Sequence, residues 1–284
     1  MDDHTPITTS PTEARGAVAG RSRTRSRIMA HRGDSARFAE NTRAAYVGAV
    51  RAGADGIECD VRLSRDRELV CVHDETVDRT SNAHGPVERY TLDELRALDW
   101  SSWHPGVPGT VAPPQAPELE LVTLSELIEL VLAELDGDPR PFDLAIETKH
   151  PSPSGHLVED EVVRVLDVFR AAGRLDRLAV RIITFSRQAA SHLHETGAPY
   201  HVELLVNEID DDGLRGRLPA GVRTLAPQVR MLRAHPEVVG VLAREGHDVH
   251  PWTVDDVDDA LFAQDLGCSI ITTNLPGPIK ASLA

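Results

Sequence analysis

The feature that most constrains this chain is a rhythm. Eight short apolar runs recur along it: 28–31 (IMAH), 56–63 (GIECDVRL), 143–148 (DLAIET), 179–185 (AVRIITF), 200–206 (YHVELLV), 222–226 (VRTLA), 248–254 (DVHPWTV) and 269–273 (SIITT). Between them lie helical patterns, clearest at Glu40–Ala52, Leu124–Leu135, His156–Ala172, Arg187–Glu195, Pro236–Glu245 and Asp255–Leu266. Asn41 or Thr42 can cap the first helix and Thr123 or Ser125 the second, and Thr253 with Asp255 and Asp256 opens another. Eight strands alternating with helices predict a (β/α)₈ TIM barrel. A doubly wound open sheet also alternates, but no glycine-rich phosphate fingerprint follows the first run.

One segment departs from the rhythm. Residues 68–120 begin with a β-like run, ELVCVHD, and pass into SSWHPGVPGTVAPPQAP. This reads as an insertion after the second barrel strand, lying over the barrel mouth, with Trp100 and Trp103 to pack it down. Residues 1–26 are polar, carry an RSRTRSR run at 21–27 with no apolar stretch after it, and read as a disordered tail. The remainder, 27–284, reads as a single barrel domain.

Composition narrows the partners. A net charge of −15 argues against a general nucleic-acid binder but leaves room for a small anionic substrate in a locally basic cleft. No apolar run approaches membrane-spanning length and no basic amphipathic helix is evident, so no stable membrane association is expected. Cys59, Cys71 and Cys268 are odd in number, widely spaced and set among apolar neighbours. They read as buried, reduced thiols of a cytoplasmic protein rather than as zinc ligands.

Alternation along each strand assigns faces. In GIECDV, Ile57, Cys59 and Val61 share the face beneath the helices, so Glu58 and Asp60 point into the barrel. In DLAIETK, Glu147 and Lys149 point the same way, opposite Leu144, Ile146 and Thr148. Three inward carboxylates make an oxygen-rich site for a hard divalent cation, Mg²⁺ or Ca²⁺. The alternative is a buried salt-bridge network with Arg62 and Lys149. Of the 13 histidines, His192, His194, His201, His235 and His247 read as surface or helix residues. His31 and His73 differ, since each ends a short strand (IMAH, LVCVH) before a polar turn. With Arg32 and Lys149 nearby, two histidines and one hard cation suit phosphate-ester cleavage.

HRG (31–33), ENT (40–42), GIECDV (56–61), VHD (72–74), IETK (146–149), TFS (184–186) and PWTV (251–254) occur in the order found in glycerophosphodiester phosphodiesterases, and 78–99 resembles that family's insertion. The chain resembles this family from Ile28 to about Pro278. The resemblance implies a PLC-like barrel that hydrolyses glycerophosphodiesters to glycerol 3-phosphate and an alcohol, using Ca²⁺ or Mg²⁺. It implies Glu58, Asp60 and Glu147 as metal ligands, and His31 and His73 as the catalytic pair. Arg32 and Lys149 fall on the phosphate, and Phe185 and Trp252 on the glycerol and leaving-group pocket. Two positions depart from the family's pattern: Asn274 and Ser186 stand where Asp is frequent. Three other readings compete: a PLC-like enzyme acting on lysophospholipid or sphingolipid head groups, with an apolar rim supplied by Trp100, Trp103, Val107 and Val111; a catalytically silent phosphometabolite binder; and a metal-dependent amidohydrolase, which would want H-x-H where this chain has HRG.

Overall fold

The period-two runs become strands and the longer patterns become the helices that cover them. The structure is a computed structural model that describes residues 25–105 and 120–284. The chain runs β1 (Arg27–His31), α1 (Arg43–Arg51), β2 (Gly56–Leu63), β3 (Leu69–Cys71), a 3-10 turn (Val87–Arg89), α2 (Leu92–Arg96), α3 (Leu124–Glu134), β4 (Phe142–Thr148), α4 (Leu157–Ala171) and β5 (Leu178–Thr184). It continues through α5 (Arg187–Glu195), β6 (His201–Val206), α6 (Asp211–Leu214), β7 (Val222–Pro227), α7 (Val229–Ala234), α8 (Glu237–Arg244), β8 (Asp248–Val249), α9 (Val257–Leu266), β9 (Ile270–Thr273) and α10 (Pro276–Ser282). Eight parallel strands in the order β8-β7-β6-β5-β4-β2-β1-β9 form a nearly closed barrel. β3 is the exception, since it pairs antiparallel with the end of β2, Val61 opposite Cys71.

Several helices start where a side chain can take up their free amides. Thr42 accepts from the Ala45 amide, Thr123 forms a capping box with Glu126, and Asp256 accepts from the Asp258 and Asp259 amides. The first helix therefore begins at Arg43 rather than Glu40, which frees Glu40 and Asn41 for the barrel mouth. The run expected at 248–254 keeps two strand residues, Asp248–Val249, and one further parallel bridge from Trp252 to Gln228.

The two faces of the strands separate as alternation requires. Ile57, Cys59, Val61, Leu144 and Ile146 pack beneath Leu124, Leu127 and Ile128 of α3 and Val158 and Val162 of α4. Inside the barrel, Met29, Ala145, Ile183, Leu205, Ala226 and Ile270 form a compact apolar layer. Below that layer is a polar floor. Asp143 is bonded to Arg27 (2.5 Å) and Arg181 (2.7 Å), and Arg181 in turn reaches Glu203 at 2.5 Å. Apolar packing on both sides fixes the height at which the next inward residues emerge.

The insertion has its own small core of Val70, Val72, Val77, Val87, Leu95, Trp100 and Leu121. Trp100 is 5% exposed and its Nε1 donates to the Leu95 carbonyl, so it supplies no apolar rim. Trp103 is 36% exposed. Val107 and Val111, and residues 1–24 of the expected tail, lie outside the described residues. Ser26, also assigned to that tail, is buried, with its Oγ donating to the Cys268 carbonyl at 2.7 Å. All three cysteines are buried free thiols. Among the described residues no helix is long and apolar enough to cross a membrane.

Candidate active site

The site begins at a turn that depends on a glycine. After His31, Arg32 (φ 57°) and Gly33 (φ 82°) both adopt left-handed backbone. A side chain on Gly33 would come within 2.5 Å of the Ala45 backbone, so glycine is required there. The turn aims the Arg32 amide at Glu58 Oε2 (2.9 Å). Its guanidinium lies between Glu40 (2.9 Å) and Asp60 (3.0 Å). Asn41, also left-handed, donates to Asp60 at 2.9 Å and accepts from the Tyr46 hydroxyl at 2.7 Å. The three residues of the ENT motif thus divide the work among them. Glu40 holds Arg32, Asn41 holds Asp60, and Thr42 caps α1.

Glu58, Asp60 and Glu147 converge as alternation predicts, with ligand-capable oxygens within 4.8 Å of one another. Lys149 bonds Asp60 (2.8 Å) and Glu147 (2.5 Å). Arg62, the other cation of the alternative network, does not join it, and instead donates to the His73 carbonyl at 3.0 Å. Charge balance is incomplete. Burial pushes the Asp60 carboxyl up, but Lys149 and Arg32 outweigh it and hold Asp60 well below the usual range. Burial, with the charges of Asp60 and Glu147, holds Glu58 well above that range. Burial also raises Glu147 to about 7, against the pull of Lys149. Glu58 Oε1 is buried with no hydrogen-bond partner among the described residues. An all-oxygen donor set with one orphaned oxygen and two carboxylates held back from ionising fits a hard divalent cation.

The two histidines reach this cluster by different routes. His31 is the last residue of β1. Its Nδ1 meets Asn274 Oδ1 at 2.7 Å, and Asn274 is held by Ser35 and Asp255. His73 does not end a strand; β3 stops at Cys71, and the antiparallel return, fixed by the Val72 amide on the Asp60 carbonyl (3.1 Å), brings His73 back to the mouth. Its Nδ1 meets Asp74 at 2.6 Å. With both Nδ1 atoms engaged, each imidazole has its Nε2 without a hydrogen-bond partner among the described residues. Burial, aided by the Arg32 charge, lowers His31 to about 4. Burial lowers His73 as well, partly offset by Asp60.

His31, Arg32, Glu58, His73, Glu147 and Lys149 line a cavity of about 340 Å³, while Asp60 is fully buried. Phe185 and Trp252 also line the cavity, their rings edge to face with centroids 5.4 Å apart. Ser186 caps α5 by accepting from the Ala189 amide, so its departure from Asp costs the helix nothing.

Sequence reasoning missed Glu203 and His250, which also line the cavity. His250 bonds Glu203 through Nδ1 (2.7 Å) and Thr272 through Nε2 (2.7 Å), and Glu203 joins this pair to the polar floor. A charged residue inside an apolar run, as in AVRIITF and HVELLV, was the available signal. His201 is likewise no surface or helix residue: it opens β6, half-buried, with Nε2 on Thr224 at 2.8 Å.

Residues 31–277 match the glycerophosphoryl diester phosphodiesterase family. The protein named probable glycerophosphodiester phosphodiesterase 1 of Mycobacterium tuberculosis is 36% identical over 264 residues, covering 90% of this chain and 92% of its own. The glycerophosphodiester phosphodiesterase of Caldanaerobacter subterraneus subsp. tengcongensis is 31% identical, covering 88% of this chain and 94% of its own. In fold, the chain is similar to an Oleispira antarctica phosphodiesterase solved with its product sn-glycerol-3-phosphate. The TM-score is 0.69 at 22% identity, over 91% of this chain and 97% of that one.

Proposed function

Since the chain belongs to the glycerophosphoryl diester phosphodiesterase family and is an enzyme of that class, we propose that it cleaves glycerophosphodiesters to glycerol 3-phosphate and an alcohol with two histidines and one divalent cation, Ca²⁺ or Mg²⁺. The observation that carries this reading is the convergence of two imidazoles with free Nε2 atoms on three carboxylates, one of which keeps an orphaned oxygen.

Glu58, Asp60 and Glu147 would hold the cation. When bound, it supplies charge neutralisation at the phosphoryl oxygens and acidifies a hydroxyl nearby. His31, neutral near pH 7, takes the proton of the vicinal glycerol hydroxyl at Nε2. That oxygen attacks phosphorus in line, the bond from phosphorus to the alcohol oxygen breaks, and His73, entering the step as the imidazolium with its Nδ1–H on Asp74, gives its Nε2 proton to the departing alcohol. Water then opens the resulting cyclic phosphate with the two roles exchanged. Arg32 and Lys149 offset the phosphate charge, and Phe185 and Trp252 pack on the apolar edge of the substrate. The burial of Trp100 removes one residue of the apolar rim that a lipid-acting enzyme would want.

The test is release of glycerol 3-phosphate from a panel of glycerophosphodiesters, in EDTA and after Ca²⁺ or Mg²⁺ is restored. Release should need the cation, and His31→Ala and His73→Ala should each lower kcat by on the order of 10²–10⁴. Near-parental turnover in both variants would overturn the histidine mechanism, and full turnover in EDTA would overturn the metal.

A further inference from the structure

One side chain of the insertion touches the supports of both halves of the site without facing the cavity. Arg79 lies in the segment between His73 and the 3-10 turn. Its Nε donates to Asp74 Oδ2 at 2.7 Å, and its two terminal nitrogens grip Glu40 at 2.7 and 2.9 Å. A further bond reaches Asp74 Oδ1 at 3.1 Å. These carboxylates come from distant parts of the chain, and each continues inward to a different functional group. Asp74 holds His73 Nδ1 at 2.6 Å, and Glu40 holds the Arg32 guanidinium at 2.9 Å. Arg79 is therefore the shared outer member of two chains, one ending on an imidazole and the other on the phosphate-facing arginine. The guanidinium also lies 5.8 Å from the ring centroid of Trp103, which ties it to the far end of the insertion.

We propose that Arg79 is a positioning residue for the diester cleavage: it fixes Asp74 and Glu40 together, and so sets the orientation of His73 and Arg32. A planar guanidinium is suited to this because it engages two carboxylates in fixed directions, whereas an ammonium acts as a point charge. Asp74, held at both oxygens from outside, keeps Oδ1 on the His73 Nδ1–H, which leaves Nε2 aimed into the cavity as the proton donor of the imidazolium. Without Arg79, Asp74 and Glu40 would face each other with one fewer cation between them and would separate. The insertion thereby gains a part in the reaction although, among the described residues, it contributes only His73 to the cavity wall.

The inference rests on the histidine mechanism above, and the experiment separates the two. Parent, Arg79→Gln, Arg79→Lys and His73→Ala are compared on two glycerophosphodiesters, one with an alkyl alcohol as leaving group and one with p-nitrophenol. An alkoxide needs a proton to leave; a nitrophenolate does not. On the alkyl diester, Arg79→Gln should lower kcat by roughly 10- to 100-fold with KM little changed, and Arg79→Lys should recover part of it. On the nitrophenyl diester, read as nitrophenol release in a single turnover, the part of the loss that runs through His73 should vanish, as it should for His73→Ala, and only the smaller part that runs through Arg32 should remain. Arg79 is 44% exposed, so both variants should keep the parental melting temperature; if Arg79→Gln did not fold, Arg79→Lys would carry the same comparison. Equal losses on both diesters, or none on either, would overturn the proposal that Arg79 serves His73 together with Arg32, while leaving an impaired His73→Ala on the alkyl diester as support for the mechanism. Parental rates for His73→Ala on both substrates would overturn the two together.

Discussion

At the scale of single residues, the barrel interior is decided by how many charges can be buried and by which neighbours. Glu203 is fully buried, which alone would push its carboxyl up, yet His250 and Arg181 outweigh burial and hold it at about 2. A carboxyl held below its unfolded value stabilises the fold above about pH 4.3, and that contribution is lost as the pH falls toward 2. A gap of this size is worth on the order of 3 kcal/mol. Glu203→Gln should therefore be less stable at pH 7 and show a flatter loss of stability between about pH 4 and pH 2, measured by urea unfolding across that range. An unchanged acid slope would mean that Glu203 titrates as an ordinary carboxylate. The same alternation that made Glu58, Asp60, Glu147 and Lys149 legible in the sequence also applies to Arg181 and Glu203. They escaped notice because no turn or motif marks them: they sit mid-strand, where a charge is legible only as an exception to an apolar run. Asn274 was legible as a departure, but its hold on His31 Nδ1 depends on a contact across 243 residues that local pattern does not encode.

At the scale of elements, caps carried the reliable information. Thr123 was readable as a helix start, and the structure adds the reciprocal bond from the Thr123 amide to Glu126 (2.9 Å). Thr123→Ala should cost about 1 kcal/mol in thermal or urea melts, and restoring Ser should recover most of it. Boundaries were less legible where residues serve the site. Glu40 and Asn41 fit a helical pattern by composition, yet Arg32 and Asp60 claim them before the helix begins. The direction of β3 was not legible at all. Three residues carry no signature of antiparallel pairing, and the return is fixed by the ladder to β2 and by the bridge from Val70 to Thr123.

At the scale of the whole molecule, the count of strands was enough to predict a barrel, because eight apolar runs at helix-length spacing leave few other ways to bury both faces of a parallel sheet. The metal cluster has a consequence at this scale too. Binding of a cation to the folded state alone adds about 2.7 kcal/mol at a concentration 100 times its Kd. Saturating Ca²⁺ or Mg²⁺ should therefore raise the melting temperature of the parent and leave that of Glu58→Gln nearly unmoved; equal shifts in both would place the stabilising ion elsewhere. The ring of strands is not uniform, however. β8 has two residues and shares no ladder with β9. The gap is spanned by the Val254 amide on Thr272, the Thr272 amide on Pro251 and the His250 ring on the Thr272 hydroxyl. A hoop with one thin join relaxes there first. In heavy water, amides from Asp248 to Val254 should exchange ahead of those in β2 and β4, as read by mass spectrometry of peptic fragments. The wall carrying Trp252 would then breathe on a timescale of its own, while the side that gathers the carboxylates stays closed.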